Sequence, residues 1–217
     1  MEIPKLVIGN KSYSSWSLRP WFFLKNLNVD FEEELVFLFE DDTDELLSPY
    51  FSDSKVPVLQ DGDLQIWDSL AIIEYVADKY PDKQGWPADL KARAVARAIS
   101  AEMHSGLAAL RNALPMNCRN HFPGFLITAD VQQDIDRVVS LWEFARNNYG
   151  EGGSWLFGEF SGADALFAPV VIRLSGYDVK LSGVADEYRQ AVLQNEYMQQ
   201  WVDAGKKETQ IIGCDEV

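Results

Sequence analysis

Ser54-Lys-Val-Pro-Val-Leu-Gln-Asp-Gly-Asp-Leu-Gln-Ile-Trp-Asp-Ser-Leu-Ala-Ile-Ile-Glu-Tyr-Val-Ala-Asp-Lys-Tyr80 changes its hydrophobic period once, and that change decides how the chain folds. Two β-type runs, residues 56–60 and 64–67, flank Asp61-Gly62-Asp63. Asp-Gly between apolar runs is a strong hairpin signal, because both residues tolerate positive φ. After Trp67 the period lengthens from two to 3.6. Leu70, Ile73, Val76 and Ala77 share one helical face, and Asp68 or Ser69 stands at its start as N-cap. Pro57 has no N–H to give a ladder, so it implies an edge, a bulge or a cis bond.

A cis Val56-Pro57 bond would leave the Val56 backbone free to pair with something outside the protein. Asp68 and Ser69 add a carboxylate, a hydroxyl and bare amides at a helix N-terminus, a setting that suits a ligand carboxylate. Together they describe a receptor for a peptide-like molecule with both an amine and a carboxylate. An ordinary hairpin followed by a capped helix is the plainer alternative.

Upstream, residues 5–9 read as a first strand ending at Gly9, followed by the polar run Asn10 to Ser15. Leu18, Trp21, Phe22, Leu24 and Leu27 then supply a helical face, with Pro20 tolerable only in the first turn. The serines therefore stand where a strand hands over to a helix. Residues 31–37 predict a second strand, and the acidic run 39–54 a short helix or loop. Strand, helix, strand, helix, hairpin, helix is the order of a thioredoxin-like α/β domain.

Downstream the chain changes character. Residues 82–87, with their proline and glycine, read as a linker between a domain at 1–81 and an all-helical one at 88–217. A proline-free helical pattern spans 88–114 and stops at Pro115, and 129–148 carries the apolar stripe of a second helix. Ser161-x-x-Asp164 is a variant capping box opening a third helix. Residues 183–205 hold one or two final helices, and 209–217 read as a loose tail.

Composition narrows the function. Thirty-four acidic against 19 basic residues, a net charge of −15, argue against nucleic-acid or anionic-membrane partners. Met1 to Gly9 lacks a signal-peptide layout and no apolar run nears about 18 residues, so a cytoplasmic protein is expected. Two cysteines, Cys118 and Cys214, and two histidines, His104 and His121, have no metal-ligand spacing; no metal is expected.

Val-Pro-Val-Leu, the Asp-Gly-Asp turn and the acid-Ser pair before Leu-Ala-Ile-Ile-Glu-Tyr resemble the glutathione-binding half of the glutathione S-transferase family. The segments Glu102-Met-His-Ser-Gly-Leu and Leu110-Arg-Asn-Ala-Leu-Pro-Met-Asn resemble a bacterial subgroup of it. The resemblance implies glutathione as co-substrate, a small electrophile as acceptor, and a homodimer. It carries the serine of the serine-type classes onto Ser14, with Ser15 one place away and the Tyr13 phenol as another solution. It also carries γ-glutamyl recognition onto Asp68 and Ser69, and backbone pairing of the cysteinyl part onto Val56 beside Pro57.

The chemistry it implies needs a thiolate at neutral pH, whereas a free thiol of this kind has a pKa of about 8.5. A hydroxyl aimed at the sulfur from a helix N-terminus favours the charged form. Lys55 would approach the glycine carboxylate; residues 35–54, where many relatives place a Lys or His for it, contain neither. Met103, Leu107 and Arg111 recur every four residues and, with His104 and Trp16, read as walls of the acceptor pocket, Arg111 as an anion contact. Two alternatives accompany conjugation: a glutathione-dependent isomerase of the zeta type, and a non-catalytic binding protein on the same fold.

Overall fold

The computed structural model describes residues 3–217. Four strands form one mixed sheet: β1 (Lys5–Ile8), β2 (Glu32–Leu35), β3 (Val58–Asp61) and β4 (Leu64–Trp67), in the order β2-β1-β3-β4. β1 and β2 run parallel through the crossover helix α1 (Ser15–Asn26), with Leu6 opposite Glu33. β3 returns antiparallel to β1, with Leu6 opposite Leu59, and turns into β4 through Gly62-Asp63. Gly62 alone takes positive φ in that two-residue loop, at +58°, the pattern of a type II′ turn. Alternation then sorts the side chains. Leu6, Ile8 and Leu59 join the main core under α1 and α3 (Ser69–Lys79), while Val7 and Val58 meet Val36, Leu47 and Tyr50 beside α2 (Thr43–Leu47).

Two local expectations shift. The strand expected from residue 56 begins at Val58, because the Val56-Pro57 bond is cis and Pro57 has no N–H for the ladder. Pro20 lies in the second turn of α1, not the first. It removes the bond to the Trp16 carbonyl and costs about 3 kcal/mol. Leu18, Phe22, Phe23 and Leu24 are fully buried on the same helix, each stabilising by about 1.5–3 kcal/mol, and outweigh it.

The helical half contains α4 (Leu90–Ser105), α5 (Ala108–Ala113), α6 (Ala129–Tyr149), α7 (Gly162–Gly176), α8 (Gly183–Gln194) and α9 (Glu196–Lys207). The single helix expected over 88–114 is broken. Gly106 closes α4 through its N–H to the Glu102 carbonyl, and Leu107 takes φ +57°. A left-handed leucine costs about 1–2 kcal/mol. Arg111 offsets it by donating to the freed carbonyls of His104 and Gly106, at 3.1 and 3.3 Å, and Asp134 accepts from the Leu110 amide.

α7 is buried nearly all round, the signature of a central helix. α9 packs on the segment just before α1, where a Cβ at Gly205 would sit 2.9 Å from the Ser12 nitrogen. Residues 208–216 are no loose tail. Glu208 accepts from the Lys11 and Ser12 amides at 2.7 and 2.9 Å, and Gln210 donates to the Leu38 carbonyl. Glu216 accepts from the Tyr13 hydroxyl and from Asn117 and Asn120. The C-terminal segment thus binds the loop that carries the serines.

Candidate functional site

A cavity of about 750 Å³ opens beside the N-terminus of α1. Tyr13, Ser14, Ser15 and Trp16 line one side. Lys55, Val56, Pro57, Asp68 and Ser69 line the same cavity, so the cis-proline loop and the start of α3 share it with the serines. Arg111, Arg173, Met116, Ile212 and Asp215 line it as well, with Arg173 against Ser15 and Arg111 over the Trp16 ring.

Ser14 is the N-cap of α1 and only 8% exposed. Its Oγ accepts from the Ser17 amide and donates to Ser17 Oγ at 2.8 Å, and Ser17 Oγ in turn accepts from the Gly9 amide at 3.0 Å. Hydroxyl protons rotate at little cost. If Ser17 donates to Ser14, the Ser14 proton is released toward the cavity, and the chain Gly9 N–H, Ser17, Ser14 ends on whatever anion lies there. Ser17→Ala is expected to cut turnover three- to tenfold, about 0.7–1.4 kcal/mol, with unchanged circular dichroism; steady-state kinetics measures it. Ser15 Oγ accepts from the Arg173 guanidinium at 3.2 Å.

Asp68 has φ +76°, a costly backbone for a non-glycine residue. Its Oδ1 accepts from the Leu70 and Ala71 amides, which anchors the turn. Its Oδ2 lies 3.1 Å from His104 Nε2. Burial, aided by Arg19 and Arg111 and opposed by Asp68, holds the His104 pKa below its ordinary value. A neutral imidazole fits both contacts, accepting from Arg19 at Nδ1 and donating to Asp68 from Nε2. Arg19 also donates to Ser69 Oγ at 3.2 Å.

Of the acceptor-wall residues, Trp16 and Arg111 line the cavity and Met103, His104 and Leu107 do not. The four-residue spacing assumed one continuous helix. Met103 points into the core from α4 itself, the break at Gly106-Leu107 leaves Leu107 buried there too, and His104 contacts Asp68. The Tyr13 ring lines the cavity, but its hydroxyl donates to Glu216 at 2.5 Å and accepts from Arg119. That hydroxyl is therefore bonded within the fold. Lys55 pairs with the exposed Asp53.

Sequence reading missed Ser17, Arg19, Arg173 and the two tail residues. Arg173 had a signal: a lone charge in the apolar helix Gly-Ala-Asp-Ala-Leu-Phe-Ala-Pro-Val-Val-Ile-Arg, where an arginine needs partners. Ile212 and Asp215 had none, because only the folded tail brings them there.

The model of the glutathione S-transferase N-terminal domain matches residues 13–79, from the serine loop through α3. A probable maleylacetoacetate isomerase of Caenorhabditis elegans is 38% identical over 176 residues, 79% of this chain and 79% of that protein. The chain belongs to the glutathione S-transferase family. Glutathione S-transferase 1 of Dianthus caryophyllus is 37% identical over 122 residues, 54% of this chain and 53% of its own. Among solved structures, a Burkholderia glutathione transferase homolog with bound glutathione superposes with a TM-score of 0.69 at 22% identity, covering 94% of this chain and 98% of its own. The tau-class transferase of mango gives 0.70 at 18% identity, over 94% and 96%. Those likenesses carry the fold: a thioredoxin-like sheet domain followed by an all-helical one. As a member of this family, the protein is a glutathione transferase by enzyme class.

Proposed function

We propose that the cavity binds glutathione against the cis-proline loop and the start of α3, and that Ser14 stabilises its thiolate for attack on a small electrophile. The observation that carries this reading is the hydroxyl chain from Gly9 through Ser17 to Ser14. It ends at a helix N-terminus that lines the same cavity as Val56 and Ser69. The γ-glutamyl end would meet Ser69 and the amides of α3, with Asp68 held by its cap and by His104. The sulfur would lie near Ser14 and Ser15, where the positive end of the α1 dipole and the Arg173 charge favour an anion. Attack then forms a carbon–sulfur bond while the acceptor's leaving group departs with its electron pair, or the acceptor's double bond takes up a proton.

Calorimetric titration with glutathione, followed by turnover of 1-chloro-2,4-dinitrobenzene, tests the reading. No binding at millimolar glutathione would end it. Lys55 is mostly exposed and already paired with Asp53, so Lys55→Ala is expected to raise KM for glutathione no more than about threefold with kcat unchanged. A larger effect on KM would make Lys55 a direct contact of the glycine carboxylate.

Glutathione-dependent isomerisation is the second reading, favoured by the nematode relative that covers 79% of the chain. There glutathione adds and then leaves, so product analysis finds no conjugate. The domain division at residues 82–87, a cytoplasmic location and a homodimer belong to the same proposal. Among the described residues no helix is long and apolar enough to cross a membrane, and Phe51, 78% exposed and edge-on to Trp67, offers an apolar contact for a second copy.

A further inference from the structure

Arg111 and Arg173 reach the cavity without an ion-pair partner among the described residues. Arg173 is buried on α7, and its hydrogen bonds go to the carbonyls of Arg111 and Leu114 and to the Ser15 hydroxyl. Arg111 is half-buried and spends its bonds on the carbonyls of His104 and Gly106. Behind them Arg19 is buried with its Nε unpartnered. The Arg19 and Arg111 guanidinium groups stack on the Trp16 ring at 4.1 and 4.8 Å. Among the described residues none of the three forms an ion pair, in a chain with 34 carboxylates to choose from.

Burying a cation without a counter-charge is costly, and carbonyl partners make up only part of the loss. Burial and mutual repulsion pull Arg173 down to about 10 and Arg19 to about 9, so both remain charged at neutral pH. Two carboxylates that line the cavity act on the group from beyond ion-pairing distance: Asp68 on Arg19 and, from the C-terminal segment, Asp215 on Arg173. Two guanidinium forks beside a flat indole suit a planar carboxylate attached to a conjugated group.

We propose that the electrophilic acceptor carries a carboxylate, seated against Arg111 and Arg173 with its conjugated part beside Trp16, and that Asp215, which acts on Arg173 from the C-terminal segment, weakens this attraction. The inference deepens the transferase reading by naming the acceptor's class and the residues that select it. In the substitution, the thiolate sulfur bonds to the electrophilic carbon and the leaving group departs with the pair from the broken bond. The acceptor carboxylate takes no part in bond making.

A matched pair tests it: 4-chloro-3,5-dinitrobenzoate and its methyl ester, each kcat/KM divided by its uncatalysed rate constant with glutathione. The wild type is expected to favour the carboxylate about tenfold, the worth of one charge-assisted contact. Arg111→Met should remove most of that preference, and Asp215→Asn should raise it two- to fivefold. An ester used as well as the acid, or a preference that survives in both Arg111→Met and Arg173→Met, overturns the proposal. Calorimetry with 3,5-dinitrobenzoate, which has no leaving group, against 3,5-dinitrobenzamide keeps the two readings apart. If neither chloride is turned over, the transferase reading fails, while binding of the benzoate alone, weakened in Arg111→Met, still supports the anion seat. Equal affinity for benzoate and benzamide sinks the seat whether or not there is turnover. Should Arg173→Met not fold, Asp215→Asn and Arg111→Met decide.

Discussion

Ser14→Ala is expected to lower kcat/KM about a hundredfold and to raise the pKa of bound glutathione by one to two units. A hydrogen bond to a charged group is worth about 1.5–3 kcal/mol, and one pKa unit corresponds to about 1.4 kcal/mol. The sign follows from which form the hydroxyl favours. Ser14 donates to the thiolate and not to the thiol, so its loss raises the thiol pKa and shifts the rising limb of the pH–rate profile to higher pH. KM for glutathione should change little, because the remaining contacts are made by other residues. Thiolate absorbance near 240 nm, titrated against pH in both proteins, measures the shift. Ser15→Ala is the control, expected to cost less because Ser15 is held by Arg173. A profile that stays put in Ser14→Ala and moves in Ser15→Ala reassigns the role to Ser15.

What could be read from the chain and what could not divides along one physical line. The hairpin, the Asp68 cap and the serine-rich start of α1 are legible because each is specified by residues within about five positions of one another. Gly62 answers a turn, Asp68 answers free amides, and Pro57 answers a missing donor. The break at Gly106-Leu107 was invisible because helical spacing continues through it. It is held by Arg111, which reaches back over the break, and from a distance by Asp134 of α6. That one misread element carried the Met103 face on to Leu107, which the break takes off it, and neither residue lines the cavity. The tail failed for the same reason. Glu208, Gln210 and Glu216 follow no period, and their partners lie some 90 to 200 positions earlier in the chain. Pairing over such separations leaves no mark in local sequence, although it fixes the very loop that carries Ser14.

Asp164 makes the largest stability prediction. It is 0% exposed at the third position of α7. The aspartate half of the capping box is formed: Oδ2 accepts from the Ser161 amide at 2.8 Å and from the Ser161 hydroxyl at 3.1 Å. Oδ1 accepts from the Leu156 amide at 3.0 Å, tying the preceding loop to the helix. Asp164→Ala leaves two buried amides unpaired at about 1–3 kcal/mol each, so a loss of roughly 3–5 kcal/mol is expected. For a chain of this length that is about a 10 °C fall in Tm.

Asp164→Asn separates the charge from the hydrogen bonds. Burial outweighs the three bonds and raises the Asp164 carboxyl to about 6, from an ordinary value near 3.8. The folded state therefore holds this proton more tightly than the unfolded state. The contribution of the group is fully present below pH 3.8 and is lost as the pH rises to about 6, by up to about 3 kcal/mol. Asparagine does not titrate, and the other carboxylates are common to both proteins and cancel. The wild type's advantage over Asp164→Asn should consequently shrink between pH 4 and 6 and level off above. Urea denaturation of both proteins at half-unit steps measures it. A difference that is flat or widens across that interval would mean Asp164 is ionised in the fold well below pH 6, with its three donors stronger than its burial.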